Sequence, residues 1–187
     1  MTNISLNEKA VSTLRSLIGK SFDAYACDPF QFSPSVFGVV GFTIGEETYK
    51  LTADRRSVQR FFSTEDAAVL DFAPCTAEEA VSCMDGGQFI LHPVKDIVCS
   101  IDMVNDLESV THEGEQRKFF STKGLIFHLK SGSEISFELD TWFSEMITIR
   151  QSYHLIEKFA PLESFYDEWD AESGYVPACT RNVITIR

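Results

Sequence analysis

Two stretches of the chain alternate apolar and polar side chains with a period of two, and this pattern limits the fold more than any other feature. In residues 133–139, isoleucine, phenylalanine and leucine alternate with glutamate and serine, and residues 47–53 repeat the pattern. Successive side chains of a strand point to opposite faces, so each stretch predicts one buried and one solvated face. Antiparallel sheets commonly have this two-sided character. The sequence therefore predicts a fold dominated by antiparallel sheet.

Turn residues predict further strands around these two. Gly45-Glu46 is expected to link a strand at 36–44 to 47–53, and Ser131-Gly132 to link 125–129 to 133–139. More strands are expected at 22–27, 67–73, 88–91 and 96–103, and in a meander over 107–139 with turns at 112–115 and 122–124. Pro93 is expected to interrupt the sheet or to lie at its edge.

Three segments carry helix signals. Residues 5–18 place apolar side chains on one face, with Ser5 and Glu8 at capping-box spacing, and residues 76–84 predict a shorter helix. A long helix is predicted at about 141–159, followed by a proline that cannot continue it. Apolar residues recur along that segment at helical spacings, at Trp142, Met146, Ile149, Tyr153, Ile156 and Ala160.

The opposite side of the predicted long helix carries three further large apolar side chains, Phe143, Ile147 and Leu155. Such a face needs cover, and we expect it from the C-terminal tail, where Phe165, Tyr166 and Trp169 can fold back. A second subunit is the alternative, so the protein is expected to be a monomer or a homodimer. These six residues form the candidate interaction surface.

We expect an α+β fold in one compact domain, 1–187, built either as a barrel or as two packed sheets. Many short strands followed by one closing helix resemble the element order of pleckstrin-homology-type barrels. Sixteen phenylalanines predict a substantial apolar core.

A two-fold internal repeat is a further hypothesis, with halves at about 20–87 and 88–160. Aligning Gly38 with Gly124 superposes the two best hairpins without gaps and brings Asp54 onto Asp140. The alternative is that any two amphipathic hairpins align, because alternation has a period of only two.

The charge balance limits the expected partners. The chain has 16 basic and 28 acidic residues and a formal net charge of -12. Proteins gain affinity for nucleic acid or anionic membranes by placing Lys and Arg on phosphates, so neither is an expected partner. An unknown protein or a small molecule stays open as the partner.

The cysteines and the N-terminus predict a cytoplasmic location. The five cysteines include no Cys-x-x-Cys pair, and the first 20 residues lack the basic and apolar regions of a signal peptide. No apolar stretch reaches the length of about 20 residues that a membrane span needs. We therefore expect reduced thiols in a reducing compartment.

The sequence contains no phosphate loop, dinucleotide fingerprint, zinc-protease motif or nucleophile elbow. His154 and Glu157 have helical spacing, but two ligands fall short of the three or four that a zinc site needs. We therefore predict no cofactor, no metal and no catalytic residue. Glu145 projects near the apolar side of the predicted long helix, where burial would raise its pKa. The alternative is a first-turn glutamate that complements the helix dipole.

Two basic clusters could each hold an anionic group or pair with nearby acids; they comprise Arg55, Arg56 and Arg60, and Arg117, Lys118 and Lys123. With no catalytic motif, we expect a non-enzymatic binding or protein-interaction module. An acidic immunity-type protein that neutralises a basic partner is the alternative. An enzyme whose residues converge from distant strands is the second alternative, and it requires a deep pocket with facing titratable groups.

Overall fold

The computed structural model describes residues 1–30, 33–84, 86–169 and 173–187. The chain is mainly β, with 59% of residues in strands and 11% in helices, arranged as an open, mostly antiparallel sheet. The predicted dominance of antiparallel sheet is confirmed, and the helical half of the α+β prediction is much smaller than expected.

Eleven strands and one α-helix make up most of the fold in the described ranges. The strands are β1 Thr2–Ile4, β2 Ser21–Cys27, β3 Ser35–Phe37, β4 Val39–Ile44, β5 Glu47–Arg60, β6 Ser63–Pro74, β7 Ile90–His112, β8 Glu115–Leu129, β9 Glu134–Leu139, β10 Met146–Ser152 and β11 Val176–Ile186. The helix α1 spans Glu8–Arg15, and two 3-10 helices span Leu155–Lys158 and Leu162–Glu168. None of the helices in these described ranges is long and apolar enough to cross a membrane.

The hydrogen-bonded strands follow the order β3-β10-β9-β8-β7-β2-β4-β5-β6. β1 pairs in parallel with β8, and β11 pairs antiparallel with β7. The two ends of the path lie at β3 and β6, and β3 continues into β4 through Gly38, whose φ of 70° suits glycine. The segment 35–44 therefore hydrogen-bonds to β10 through β3, and to β2 and β5 through β4.

The two hairpins with the clearest alternation are confirmed. Val39–Ile44 pairs with β5 across Gly45-Glu46, and β8 pairs with β9 in a register that places Phe127 opposite Ile135. The predicted turn at 112–115 is also confirmed, since His112 and Glu115 pair across it.

The predicted long helix at 141–159 is wrong. Its centre is β10, in which Ile147 pairs with Val36 on one side and Leu139 on the other. Ile147, Thr148 and Ile149 are consecutive β-branched residues, which favour a strand over a helix. All three are almost fully buried, and a strand buried on both faces needs no alternation. The predicted resemblance to the element order of pleckstrin-homology-type barrels is therefore also wrong, because that order ends in a closing helix.

Smaller segments also differ from the prediction. The N-terminal helix is shorter than the predicted 5–18. Its N-cap is Asn7 and not Ser5, because Ser5 donates its N–H and its hydroxyl to the side chain of Asn3. Residues 76–84 form turns, with no helix. β7 runs through Pro93, where its pairing with β2 shifts register. The predicted turn at 122–124 is wrong, because β8 is continuous there.

β7 has two faces with different surroundings, and this positions the candidate site. Toward the main core it places residues such as Ile101 and Met103, which join a cluster with inward phenylalanines of β2, β4, β8 and β9. Within that cluster the rings of Phe22, Phe42, Phe127 and Phe137 lie 4.8–5.9 Å apart. On its outer face β7 carries Asp106, Glu108 and Val110.

Gly124 allows β8 and β9 to approach closely. A Cβ built on it would lie 2.4 Å from the Phe137 carbonyl oxygen and 3.0 Å from the Glu138 Cα.

We predict that Gly124→Ala lowers the free energy of unfolding by about 1–3 kcal/mol, because the backbone must shift. Gly41→Ala is the matched control in β4, where the nearest atom is Ala80 Cβ, in a turn that can adjust. Urea unfolding checks both; equal losses in the two variants would contradict the close-approach explanation.

A histidine on the outer face links four strands. His128 of β8 contacts Asp102 of β7 at 2.8 Å and Glu134 of β9 at 3.3 Å, and Asp102 also accepts from Thr185 of β11. The hydrogen bond and charge of Asp102 raise the pKa of His128 above its ordinary 6.5, although burial opposes this. The same hydrogen bond lowers the pKa of Asp102.

The stability from His128 should therefore depend on pH. It is fully present below about pH 6.5 and is lost as pH rises through the raised pKa of the folded state. We predict that wild type loses up to about 1 kcal/mol more than His128→Gln between pH 5.5 and 8.5, because glutamine does not titrate. Urea unfolding at both pH values measures the difference. Parallel pH profiles for the two proteins would show that the contact contributes nothing.

Candidate functional site

A cavity of about 560 Å³ opens on the outer face of the sheet. Its walls are β7, β8 and β11, the end of the β5–β6 hairpin, the segment 140–143 and the 3-10 helix Leu162–Glu168. The volume falls within the range of about 300–1,000 Å³ typical of small-molecule sites.

The pairing of β7 with β8 and β11 determines which charged side chains meet at the base of the cavity. Glu108 of β7 lies opposite Phe119 of β8 and Cys179 of β11. Lys123 is the extra residue of a β-bulge, because Val104 pairs with Gly124 and Asn105 pairs with Thr122. Bulges redirect side chains and are frequent beside functional sites. Lys123 accordingly lines the cavity together with Glu108.

Arg60, the last residue of β5, is only 3% exposed. Its Nη2 donates to Glu108 Oε2 at 3.2 Å and to Glu168 Oε2 at 2.8 Å. The guanidinium carbon lies 3.9 Å from the ring centroid of Trp142. Three further rings surround it at 5.0–5.9 Å, those of Phe61, Phe119 and Phe165. The cation is thus stabilised by two carboxylates and by aromatic faces.

The local backbone supports this placement of rings. Phe61 turns the chain between β5 and β6 with a φ of 53°, a conformation that bulky residues rarely adopt. Its ring packs on Phe165 and, edge to face, on Trp169. The Trp142 carbonyl accepts from Ala68 N–H at 2.8 Å, which fixes segment 140–143 against β6.

Glu108 is 4% exposed, and burial raises the pKa of its carboxyl although the charges of Lys123 and Arg60 oppose the rise. In the described part of the chain, Arg60 uses only Nη2 and Glu108 only Oε2 for hydrogen bonds, and Lys123 has no ion pair. Arg60 Nη1, Glu108 Oε1 and Lys123 Nζ therefore keep hydrogen-bonding capacity. We refer to these three atoms as the cavity floor.

Three other polar atoms beside the cavity are enclosed and have no hydrogen-bond partner among the residues that the structure describes: Arg60 Nε, Thr141 Oγ1 and Trp169 Nε1. Enclosed polar groups without a partner are unfavourable, by roughly 1–3 kcal/mol each. Because they have almost no accessible surface, a ligand reaches them only after neighbouring side chains move.

A second ion pair holds the cavity wall. Arg181 of β11 donates through Nε and Nη2 to both Asp106 carboxylate oxygens at 2.8 Å, and through Nη1 to the Ala160 carbonyl at 3.0 Å. Glu138 accepts from Ala160 N–H and from Arg150. These bonds tie the chain before Leu162–Glu168 to β9 and β11.

The six residues of the candidate interaction surface lie in different places. Phe143, Phe165 and Trp169 line the cavity. Tyr166 is 41% exposed, and its hydroxyl accepts from Cys179 N–H. Ile147 and Leu155 are fully buried, so they offer no surface to a partner. The helix face that was expected to gather them does not exist, because Ile147 lies in β10.

Sequence reasoning missed Glu108 and Asp106 and did not connect the two basic clusters. Arg60 comes from the first cluster and Lys123 from the second, and the fold brings both to Glu108. The acids at 106 and 108 have strand spacing, a signal of a shared polar face, but nothing in the sequence pairs that face with the end of β5. Glu145, the carboxylate chosen from sequence, contacts Arg55 at 3.7 Å instead.

Thiol chemistry, a metal site and a second cavity have less support. All five cysteines are free, and burial raises the pKa of Cys27 and of Cys179 to about 12, so neither is a thiolate near neutral pH. The described residues contain no group of three His, Cys, Asp or Glu side chains that could hold a metal. A second cavity, of about 620 Å³, has one charged side chain among its described lining residues, Asp28.

Comparisons of the chain with protein-family models, with curated proteins and with solved structures found no match.

The Arg60–Glu108 pair gives a stability prediction. Arg60→Leu should lower the free energy of unfolding by about 3–5 kcal/mol, because it leaves a buried carboxylate without its cation. Arg60→Leu combined with Glu108→Leu should recover much of the loss, since the carboxylate that then lacks a cation is that of Glu168, whose side chain is 34% exposed. Arg55→Leu is the matched control, because Arg55 is largely exposed and should cost under about 1 kcal/mol. Equal stability of Arg60→Leu and Arg55→Leu would show that the buried pair is unimportant.

Proposed function

We propose that the protein is a non-enzymatic binding module whose ligand is a small polar molecule held in the cavity between Arg60, Glu108 and Lys123. The observation that carries the proposal is the cavity floor, where two nearly buried side chains and a bulge lysine keep unused hydrogen-bonding capacity. Small-molecule sites orient their ligands with a few polar groups placed inside a concavity, and these three atoms provide such groups.

The aromatic lining also supports a binding role. Phe143 is 52% exposed at the cavity, while Trp142, Phe165 and Trp169 form the walls around the charged floor. A few polar groups among aromatic walls are the usual composition of a small-molecule site. A cytoplasmic location belongs to the same proposal, and the five unpaired thiols support a reducing compartment.

A thermal-shift screen of small polar molecules tests the proposal with two variants. Because Phe143 lines the cavity and is exposed, Phe143→Ala should weaken a ligand by about tenfold without unfolding the protein. Tyr153→Ala is the matched control, an aromatic that is 62% exposed and lies outside both cavities. A ligand with the same affinity for both variants would bind elsewhere, and that result would exclude the cavity as its site.

An acid–base enzyme is the second candidate, favoured by the raised pKa of Glu108 and by Glu168 on the same Arg60 nitrogen. A carboxyl whose pKa burial raises is a candidate for general acid–base catalysis. Mass spectrometry of any bound ligand after incubation would detect turnover. Glu108→Gln should then keep binding and abolish product formation. The immunity-type alternative stays a prediction that rests on the net charge of -12.

A further inference from the structure

The charges around the cavity limit the class of ligand. Among its described lining residues are five acidic side chains, Glu65, Asp106, Glu108, Asp140 and Glu168, against three basic ones, Arg60, Lys123 and Arg181. An anion such as phosphate would therefore enter a lining with more negative than positive charges. A cation would meet Arg60 and Lys123 at the floor. Neither sign of net charge complements the whole cavity.

The positions of the floor charges also count against a zwitterion. Glu108 is the floor carboxylate with an unused oxygen, and Arg60 lies 3.2 Å from its other oxygen. The charge of Lys123, which lines the same part of the cavity, also acts to lower the pKa of this carboxyl. An ammonium group hydrogen-bonded to Glu108 would thus lie beside two cations and be repelled.

Hydroxyl groups complement the floor without this conflict. Each hydroxyl donates one hydrogen bond and accepts two, so adjacent hydroxyls can accept from Arg60 Nη1 and Lys123 Nζ while donating to Glu108 Oε1. Hydrogen bonds to charged groups are the stronger kind, which compensates a neutral ligand for its lost hydration. The exposed ring of Phe143 provides an apolar surface for the C–H face of such a molecule.

Resting on the proposed function, we infer that the cavity binds a neutral polyhydroxylated ligand of the saccharide class, with its hydroxyls on Arg60, Glu108 and Lys123 and its apolar face on Phe143.

Isothermal titration of the full chain with a defined panel tests this inference. The saccharide probes are glucose, galactose, mannose, N-acetylglucosamine, maltose and cellobiose, and the charged probes are inorganic phosphate, glycine and putrescine. We expect at least one saccharide to bind. Lys123→Gln should weaken that binding by about tenfold, because one charge-assisted hydrogen bond is lost.

Lys118→Gln is the matched control on the same strand, because Lys118 is exposed and does not line the cavity. Its affinity should stay within twofold of wild type, and Phe143→Ala should weaken the saccharide as Lys123→Gln does. A saccharide bound equally by Lys123→Gln and Lys118→Gln would overturn the inference.

The remaining outcomes separate this inference from the proposed function. If only phosphate, glycine or putrescine binds, and Phe143→Ala weakens it, the cavity is a binding site and the saccharide assignment is wrong. If neither the panel nor a wider screen yields a ligand that Phe143→Ala weakens, both the assignment and the proposed function fail.

Discussion

The buried Arg60–Glu108 ion pair is the interaction on which the outer face of the protein depends. A guanidinium that is 3% exposed needs charged and aromatic partners, because an unpaired ion in that setting is strongly unfavourable. Its partners come from separate parts of the chain, with Glu108 on β7, Trp142 before β10 and Glu168 in the last 3-10 helix. The pair therefore holds the end of β5 against β7 and the C-terminal segment, and the cavity is the space left between them.

Much of the sheet could be predicted from the sequence, because its hairpins have one buried and one solvated face. Alternation and turn residues identify the pairing of β8 with β9 and of β4 with β5. Alternation is too short to identify β10, because it covers only residues 147–150, and Ile147, Thr148 and Ile149 are all nearly buried. There the spacing of apolar residues imitates a helix, and only the β-branched run at Ile147, Thr148 and Ile149 indicates a strand.

The candidate site could be predicted only in part, for a different reason. Phe143, Phe165 and Trp169 stand out in the sequence as large apolar groups needing a neighbour, and all three line the cavity. The charged floor depends on strand order and on the bulge at Lys123, which are long-range properties of the register between β7 and β8. Such a bulge depends on which strand lies opposite, and the local pattern of one strand does not identify that partner. The repeat hypothesis for 20–87 and 88–160 stays a prediction.

The claim that the cavity is the binding site has a direct spectroscopic test. The chain contains two tryptophans, Trp142 and Trp169, and both line the cavity, so its two indole N–H resonances report on that space. In a ¹H–¹⁵N NMR titration with the tightest ligand found, we predict that both indole resonances shift over the same range of ligand concentration as the backbone amide resonance of Lys123. Saturation of binding with both indole resonances unmoved, and shifts confined to residues around Asp28, would contradict the account.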